Sequence, residues 1–342
     1  MPRVAFLSFR LGATDGVSIV AALWMELFAE LGFDVVTVAG EGPVDRLVAG
    51  LEIDAPAPPD RRALEDAVAD VDLVVVENLC TIPLNVPAAH EVGRVLAGRP
   101  AILHHHDPPW HRERFAHVTD LPLDDPAWRH VALTRFAARE LGERREIDAV
   151  VIPNGFREEG PGDRAGQRRT LGVADGELLV AHPVRAIERK GVPAAVALAE
   201  ALGATYWLLG AAEEDYGPEL DRILGSARCR VIHRPCASRP DLYAAADLVA
   251  FPSTWEGFGN PPIEAALHRR PAAVGHYRVA EELRELGFRF LEPGDPSEVA
   301  RFLSAPDPRS LDRNCALARE HFSVDRVRRG LRDLLDAAGW SP

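Results

Sequence analysis

Two carboxylates, Glu256 and Glu264, bracket the stretch Phe251-Pro-Ser-Thr-Trp-Glu-Gly-Phe-Gly-Asn-Pro-Pro-Ile-Glu264. Apolar Val249 to Phe251 read as a strand end. Gly257 and Gly259 allow tight backbone conformations that strain other residues. Asn260 suits a helix N-cap and Pro261 the first helical position. A strand, a glycine loop and a helix start aim backbone N–H groups and a helix dipole above the strand ends, where they favour negative or hydroxyl-rich ligands. Ile263, not Glu264, takes the third helical position, so Glu264 misses a capping box by one residue. That leaves its carboxylate to bind ligand hydroxyls or to complement the dipole.

A cationic pair stands upstream. Lysine and arginine total 39, and Lys190 is the sole lysine, so 39 − 1 = 38 are arginine. A lysine kept against that bias points to a need for a compact ammonium, which arginine does not imitate. Lys190 lies in Val184-Arg185-Ala-Ile-Glu-Arg189-Lys190-Gly191, after the apolar run 177–183. Arg185 and Lys190 therefore leave the carboxyl end of a strand, where open α/β sheets bind ligands. A solvated basic turn is the plainer alternative.

Glu256-x7-Glu264 and Arg185-x4-Lys190-Gly191 together resemble the paired-glutamate and phosphate-binding motifs of the family-4 glycosyltransferases, and the likeness covers nearly the whole chain. Val151-Ile-Pro-Asn-Gly155 resembles that family's crossover into its second domain, and Leu242–Leu248 its helix-to-strand approach to the glutamate loop. The resemblance implies the GT-B fold, an α/β architecture of two Rossmann-like domains facing each other across a cleft. Residues 1–155, joined by a C-terminal helix at 324–342, would be the acceptor-side domain; residues 156–323 would bind the nucleotide-sugar. The implied reaction is a retaining transfer of a hexosyl group from a UDP- or GDP-linked donor to an acceptor hydroxyl. The nucleotide-diphospho-sugar is a substrate, and no cofactor or metal is expected. Arg185 and Lys190 would stabilise the leaving diphosphate, Glu264 the ribose, and Glu256 with the Phe258-Gly259 backbone the sugar. Gly257, Asn260 and Gly16 complete the implied donor loops. His106, just before Asp107, would be the histidine that contacts the donor sugar. In Gly12-Ala-Thr-Asp-Gly16 the family often carries adjacent glycines, and Asp15 replaces one. Asp15, Trp110 and Arg112 are thus acceptor-side expectations. The acceptor is a small molecule or a lipid-linked sugar.

Composition narrows the class. The chain of 342 residues predicts about two domains. A net charge of −13 speaks against a nucleic-acid partner, and no run of apolar residues is long enough for a membrane span. Cys80, Cys229, Cys236 and Cys315 form no C-x-x-C pair and read as reduced thiols. These features point to a cytoplasmic protein, with peripheral attachment at the inner membrane surface left open.

The elements that must position these residues alternate between strand and helix, which means parallel sheets. Strand-like runs are Arg3–Phe9, Phe33–Ala39, Leu73–Glu77, Ala101–His106, Val131–Thr134 and Ala149–Ile152 in the first half. In the second half they are Leu178–His182, Thr205–Leu209, Arg230–His233, Leu248–Phe251, Ala272–Val274 and Phe288–Leu291. Gly16–Gly32 and Val324–Ala338 read as amphipathic helices, and polar Arg157–Arg169 as an inter-domain segment.

Three features fit less well. His104, His105 and His106 tempt a metal assignment, but no Cys or carboxylate partner stands at ligand spacing. Asp70-Val-Asp72 precedes its strand and reads as a turn. His233-Arg-Pro-Cys236 follows a strand and could border the nucleotide base. Two other classes stay open: an epimerase or hydrolase of the same fold, for which Glu77 is an available acid/base, and a non-catalytic nucleotide-sugar-binding partner.

Overall fold

The computed structural model describes residues 1–12, 15–115 and 117–342. The chain divides into two compact units, Met1–Gly155 with Val324–Pro342, and Phe156–Ser323. The first unit begins β1 (Arg3–Arg10), α1 (Gly16–Glu30), β2 (Asp34–Glu41), β3 (Arg46–Leu47), α2 (Arg61–Ala67), β4 (Leu73–Glu77) and α3 (Val86–Leu96). It continues with β5 (Ala101–His105), β6 (Trp128–Ala132), α4 (Arg135–Arg145) and β7 (Ala149–Val151). Its seven strands are ordered β3-β2-β1-β4-β5-β6-β7 and pair in parallel. Every residue of β4 is buried, as a parallel strand covered on both faces requires.

The second unit holds α5 (Arg164–Leu171), β8 (Leu179–His182), α6 (Val192–Ala201), β9 (Thr205–Leu208), α7 (Gly217–Ser226), β10 (Val231–His233) and α8 (Arg239–Ala245). Then come β11 (Leu248–Phe251), α9 (Asn260–Leu267), β12 (Ala272–Val274), α10 (Arg278–Glu285), α11 (Pro296–Ser304) and α12 (Pro308–Phe322). Its five parallel strands are ordered β10-β9-β8-β11-β12. The last helix, α13 (Val324–Ala338), returns to the first unit. Its Val327, Leu331 and Leu335 join the core beside Trp24, Leu27 and Phe28 of α1.

Both sheets reverse their winding at their first strand, between β1 and β4 and between β8 and β11. Such switch points open crevices outside the carboxyl ends of the strands, where open α/β sheets take ligands.

The expected strand Val131–Thr134 instead spans Trp128–Ala132, and Thr134 caps α4; two further elements differ in kind. Phe288–Leu291 is not a strand; only Leu291 bridges to Ala273. Gly287, at φ +105°, turns the chain just before it, and Pro293 follows. Within the polar segment 157–169, Arg164–Leu171 folds as α5, capped by Asp163 on the Gly166 N–H at 2.8 Å and ended by left-handed Gly172. The polarity is structural: Arg168 is buried against the carbonyls of Ala245 (3.0 Å) and Ala174 (2.6 Å) and the Asp247 carboxylate (3.1 Å). Arg168→Met should therefore lower stability by about 1–3 kcal/mol, because it leaves the Ala245, Ala174 and Glu177 carbonyls without their buried donor, although Arg164 still pairs with Asp247 at 2.6 Å. Urea unfolding measures the shift, and a loss below about 1 kcal/mol would show these bonds to be dispensable.

Candidate active site

The site is clearest at the switch point of the second sheet. β8 ends at His182, whose Nδ1 lies 2.8 Å from the Tyr206 hydroxyl. Burial and nearby Lys190 push this imidazole down to about 3, so it stays neutral. The chain then passes through a short 3₁₀ turn, Glu188–Lys190, into α6. Gly191 joins them at φ +69°, where a Cβ would lie 2.5 Å from the Pro252 carbonyl oxygen. Only glycine fits there, and the close approach presses the loop after β8 against the loop after β11.

Charge closes this contact. Lys190 Nζ donates to Glu256 Oε1 at 2.6 Å and Oε2 at 2.8 Å. Arg189 Nη1 donates to Glu256 Oε2 at 2.9 Å and to the Trp255 carbonyl at 2.8 Å. The Lys190 ammonium lies 5.3 Å from the centre of the Phe251 ring. Burial lowers the Lys190 pKa, against the pull of Glu256. Arg185, with a side chain 53% exposed, pairs with Glu213 at 2.6 Å and is not part of this cluster.

The glycine loop differs from expectation. Gly259, at φ +90°, occupies the N-cap position, and Asn260 is the first residue of α9 rather than its cap. A left-handed glycine enters the helix one residue earlier than a capping Asn would. Pro261 and Pro262 consequently fill the second and third helical positions and remove two N–H donors. Among the described residues no side chain caps α6 or α9. Of the two, α6 is the better anion seat, because Val192 and Ala194 keep their N–H groups directly after Lys190. The Phe258 ring turns inward, 6.4 Å from Phe156 and 5.8 Å from Phe322, while a Cβ at Gly259 would lie 2.7 Å from the Tyr277 hydroxyl. Gly257 precedes that inward ring in the same loop.

Glu264 stands one turn inside α9 with partners of its own. The Tyr243 hydroxyl donates to Oε2 at 2.6 Å, and Arg239 Nη1 lies 3.3 Å from Oε1. Tyr243 stacks on His268 at 4.9 Å, and Glu159 lies 3.5 Å from His268. Burial raises the Glu264 carboxyl above the usual range. The two glutamates therefore occupy distinct environments, one charge-neutralised and one edged by a phenol.

The first unit carries the remaining candidates. Asp15 is the N-cap of α1: Oδ1 accepts from the N–H groups of Val17 (3.1 Å) and Ser18 (3.2 Å), and Arg10 pairs with Oδ2 at 3.2 Å. Gly16 opens that helix, and among the described residues no atom lies within 4 Å of a Cβ placed on it. Residues 13 and 14 of the Gly12–Gly16 loop lie outside the described residues. Trp110 Nε1 donates to Glu140 at 3.0 Å, His111 Nε2 lies 2.6 Å from the same oxygen, and Arg112 pairs with Asp107 at 3.4 Å.

His106 follows β5, which ends at His105, one residue before the expected end. A carboxylate partner does exist, contrary to the reading of spacing alone. β4 pairs with β5 so that Glu77 stands opposite His104. Glu77 Oε2 lies 3.0 Å from His104 Nδ1 and 2.9 Å from His106 Nε2. Burial would raise the Glu77 carboxyl, but the two imidazoles outweigh it and bring it to about 2. His104 also stacks on Trp24 at 3.9 Å. Glu77, His104 and His106 offer ligand atoms within 4.8 Å of one another, the one such group among the described residues, yet their hydrogen bonds already use those atoms. Asn78, at φ +61°, accepts from the N–H groups of His106 and Asp107 and fixes that turn. His105 faces the opposite side, between Thr81 (2.7 Å) and His130 (2.9 Å). The turn reading of Asp70 agrees with its ion pairs to Arg3 and Arg46. His233 binds the Gly210 carbonyl at 2.8 Å.

Residues 188–305 match the family of glycosyl transferases group 1. The chain is 23% identical to mannosylglucosylglycerate synthase of Thermotoga maritima, across 95% of this chain and 97% of that protein. It is 32% identical to D-inositol 3-phosphate glycosyltransferase of Nocardia farcinica, over 75% of this chain and 58% of the relative. Among solved structures it resembles Anabaena Alr3699/HepE, crystallised with UDP and glucose: TM-score 0.78, 23% identity, covering 98% of this chain and 100% of that one. The fold is GT-B. The chain is a glycosyltransferase, and its residues 188–305 are what match the group 1 family.

The raised pKa of Glu264 carries a sign. Its protonated form is favoured by folding, so its contribution is full below the unfolded value near 4.5 and is lost as pH rises through the folded value. Glu264→Gln should therefore raise the melting temperature relative to the parent at pH 7.5, with the difference vanishing near pH 4. A variant destabilised at pH 7.5 would show that Tyr243 and Arg239 more than compensate the buried charge.

Proposed function

We propose that this glycosyltransferase moves a hexosyl group from a UDP- or GDP-linked donor to an acceptor hydroxyl, with retention and without a metal. The observation that carries the reading is the cationic cluster at the second switch point: Lys190 and Arg189 beside the open N-terminus of α6, with Arg185 on the same loop. The UDP complexes of the Anabaena protein support UDP as the first donor to test. As the sugar–oxygen bond breaks, the leaving nucleoside diphosphate gains charge that Lys190, Arg185 and the Val192 and Ala194 N–H groups would stabilise. Fixed donors of this kind commonly supply the largest catalytic effect. Glu264 would take the ribose hydroxyls, and Glu256 with the Phe258-Gly259 backbone the sugar. The acceptor oxygen would bond the anomeric carbon on the face the phosphate leaves, passing its proton to a donor phosphate oxygen. His106, Asp15, Trp110 and Arg112 keep the sugar and acceptor assignments implied by the family resemblance. An epimerase would need Glu77 as a mobile acid or base, and Glu77 is fully buried between two imidazoles.

Incubation with UDP-glucose and GDP-mannose across a panel of sugar, sugar-acid and lipid-linked acceptors, followed by NMR of the anomeric proton, tests this. The expected product keeps the donor's anomeric configuration and forms equally in EDTA. An inverted product or an absolute Mg²⁺ requirement would refute the mechanism, and free interconversion of nucleotide-sugars would favour the epimerase.

Lys190→Ala should reduce kcat by about 10²–10³, the cost of removing one preorganised electrostatic donor. Lys190→Arg should also lose activity, because a planar guanidinium cannot take the place of a compact ammonium. Full kcat/KM in Lys190→Arg would remove Lys190 from the chemistry.

A further inference from the structure

The Glu256 carboxylate is held by two cations, so the three side chains carry a net charge of +1. Lys190 spends its ammonium on both oxygens of Glu256. An ammonium has three N–H donors, so Lys190 meets a diphosphate with one donor unless it releases an oxygen of Glu256. A buried carboxylate that loses its cation resists that release.

Arg189 is built to stay behind. Its Nη1 bridges Glu256 Oε2 and the Trp255 carbonyl, and its guanidinium stacks 5.1 Å from the centre of the Trp255 ring. The Arg189 carbonyl accepts from the Thr254 N–H at 2.9 Å and the Thr254 hydroxyl at 3.4 Å. Both the main chain and the side chain of Arg189 are thus tied to the loop that carries Glu256. The planar fork of Arg loses less freedom per bond than a lysine stem, which suits a fixed post beside a movable one. Gly191 lies against the Pro252 carbonyl, so the backbone of the turn bearing both cations is pinned and any move of Lys190 toward a diphosphate is left to its side chain.

We propose that Arg189 is a positioning residue: it neutralises and holds Glu256 so that Lys190 can turn to the donor's diphosphate. This rests on the donor-site reading above and adds to it a residue outside the glutamate and Arg185/Lys190 motifs. Without Arg189, Lys190 and Glu256 form a self-satisfied neutral pair, and an incoming diphosphate competes with a carboxylate for one ammonium.

The test is isothermal titration of the full chain with UDP and GDP, neither of which carries the sugar that Glu256 is proposed to hold. Four proteins are compared: the parent, R189Q, E256Q and R189Q/E256Q, each checked for folding by thermal unfolding. R189Q should weaken nucleotide binding by about tenfold or more, a coupling of ordinary size between neighbouring charges. The double variant should bind within about threefold of E256Q, because no carboxylate remains to capture Lys190. Unchanged affinity in R189Q overturns the proposal. So does a double variant about tenfold weaker than E256Q, which would mean that Arg189 touches the phosphates itself. If R189Q does not fold, the comparison of E256Q with R189Q/E256Q decides alone. A parent that binds neither nucleotide removes the donor-site reading, whereas failure confined to the variants removes only the role of Arg189.

Discussion

The contact between the loop after β8 and the loop after β11 governs the rest of the second unit. Parallel winding makes these strands neighbours, although 65 residues separate the His182 and Asp247 that flank them (247 − 182). Their carboxyl ends then point the same way, and two loops of unrelated sequence must share one crevice. Backbone sterics set the spacing at Gly191 against Pro252, and the loop after β12 packs on the other side at Gly275, where a Cβ would lie 2.5 Å from the Ser253 carbonyl oxygen. Charge sets the polarity, since Glu256 would be an untenable buried anion without Lys190 and Arg189. A site able to neutralise an anionic leaving group thus follows from how two loops tolerate each other's backbone and charge.

The first unit solves a similar problem differently. Its strand ends are edged by histidines, and carboxylates order them. Glu77 takes an N–H from His104 and from His106 on one face of the sheet. On the other face His130 runs from Asp124 (2.9 Å) to His105, which reaches Thr81. An acidic acceptor at the end of such a chain fixes the tautomer of each ring in turn. Burial lowers the pKa of both His105 and His130, which keeps that wire neutral and orderly at neutral pH.

Much of the sheet scaffold was legible because buried parallel strands announce themselves as apolar runs. Leu73–Glu77, Leu248–Phe251 and Ala272–Val274 form with the bounds the pattern indicates. Phe288–Leu291 shows the limit: only Leu291 bridges to the neighbouring β12, and the rest of the run remains a loop. At the site, residue type pointed to Lys190 and Glu256, and they prove to be in contact. The partner of the histidines was hidden because Glu77 and His104 are 27 residues apart and meet only through strand register. The cap of α9 was misplaced because a left-handed glycine and a capping Asn are adjacent, and local preference does not choose between them. Arg189 escaped notice as one arginine among 38; only its doubled contact with Trp255 and Glu256 sets it apart.

The most direct test of a donor site at the second switch point is a crystal structure of the protein soaked with UDP-glucose. The result expected is a diphosphate seated at the start of α6 with an oxygen on Lys190 Nζ, and ribose hydroxyls on Glu264 in place of its present contact with Tyr243 or Arg239. A nucleotide bound elsewhere, or one at this site with no phosphate oxygen on Lys190, would contradict it.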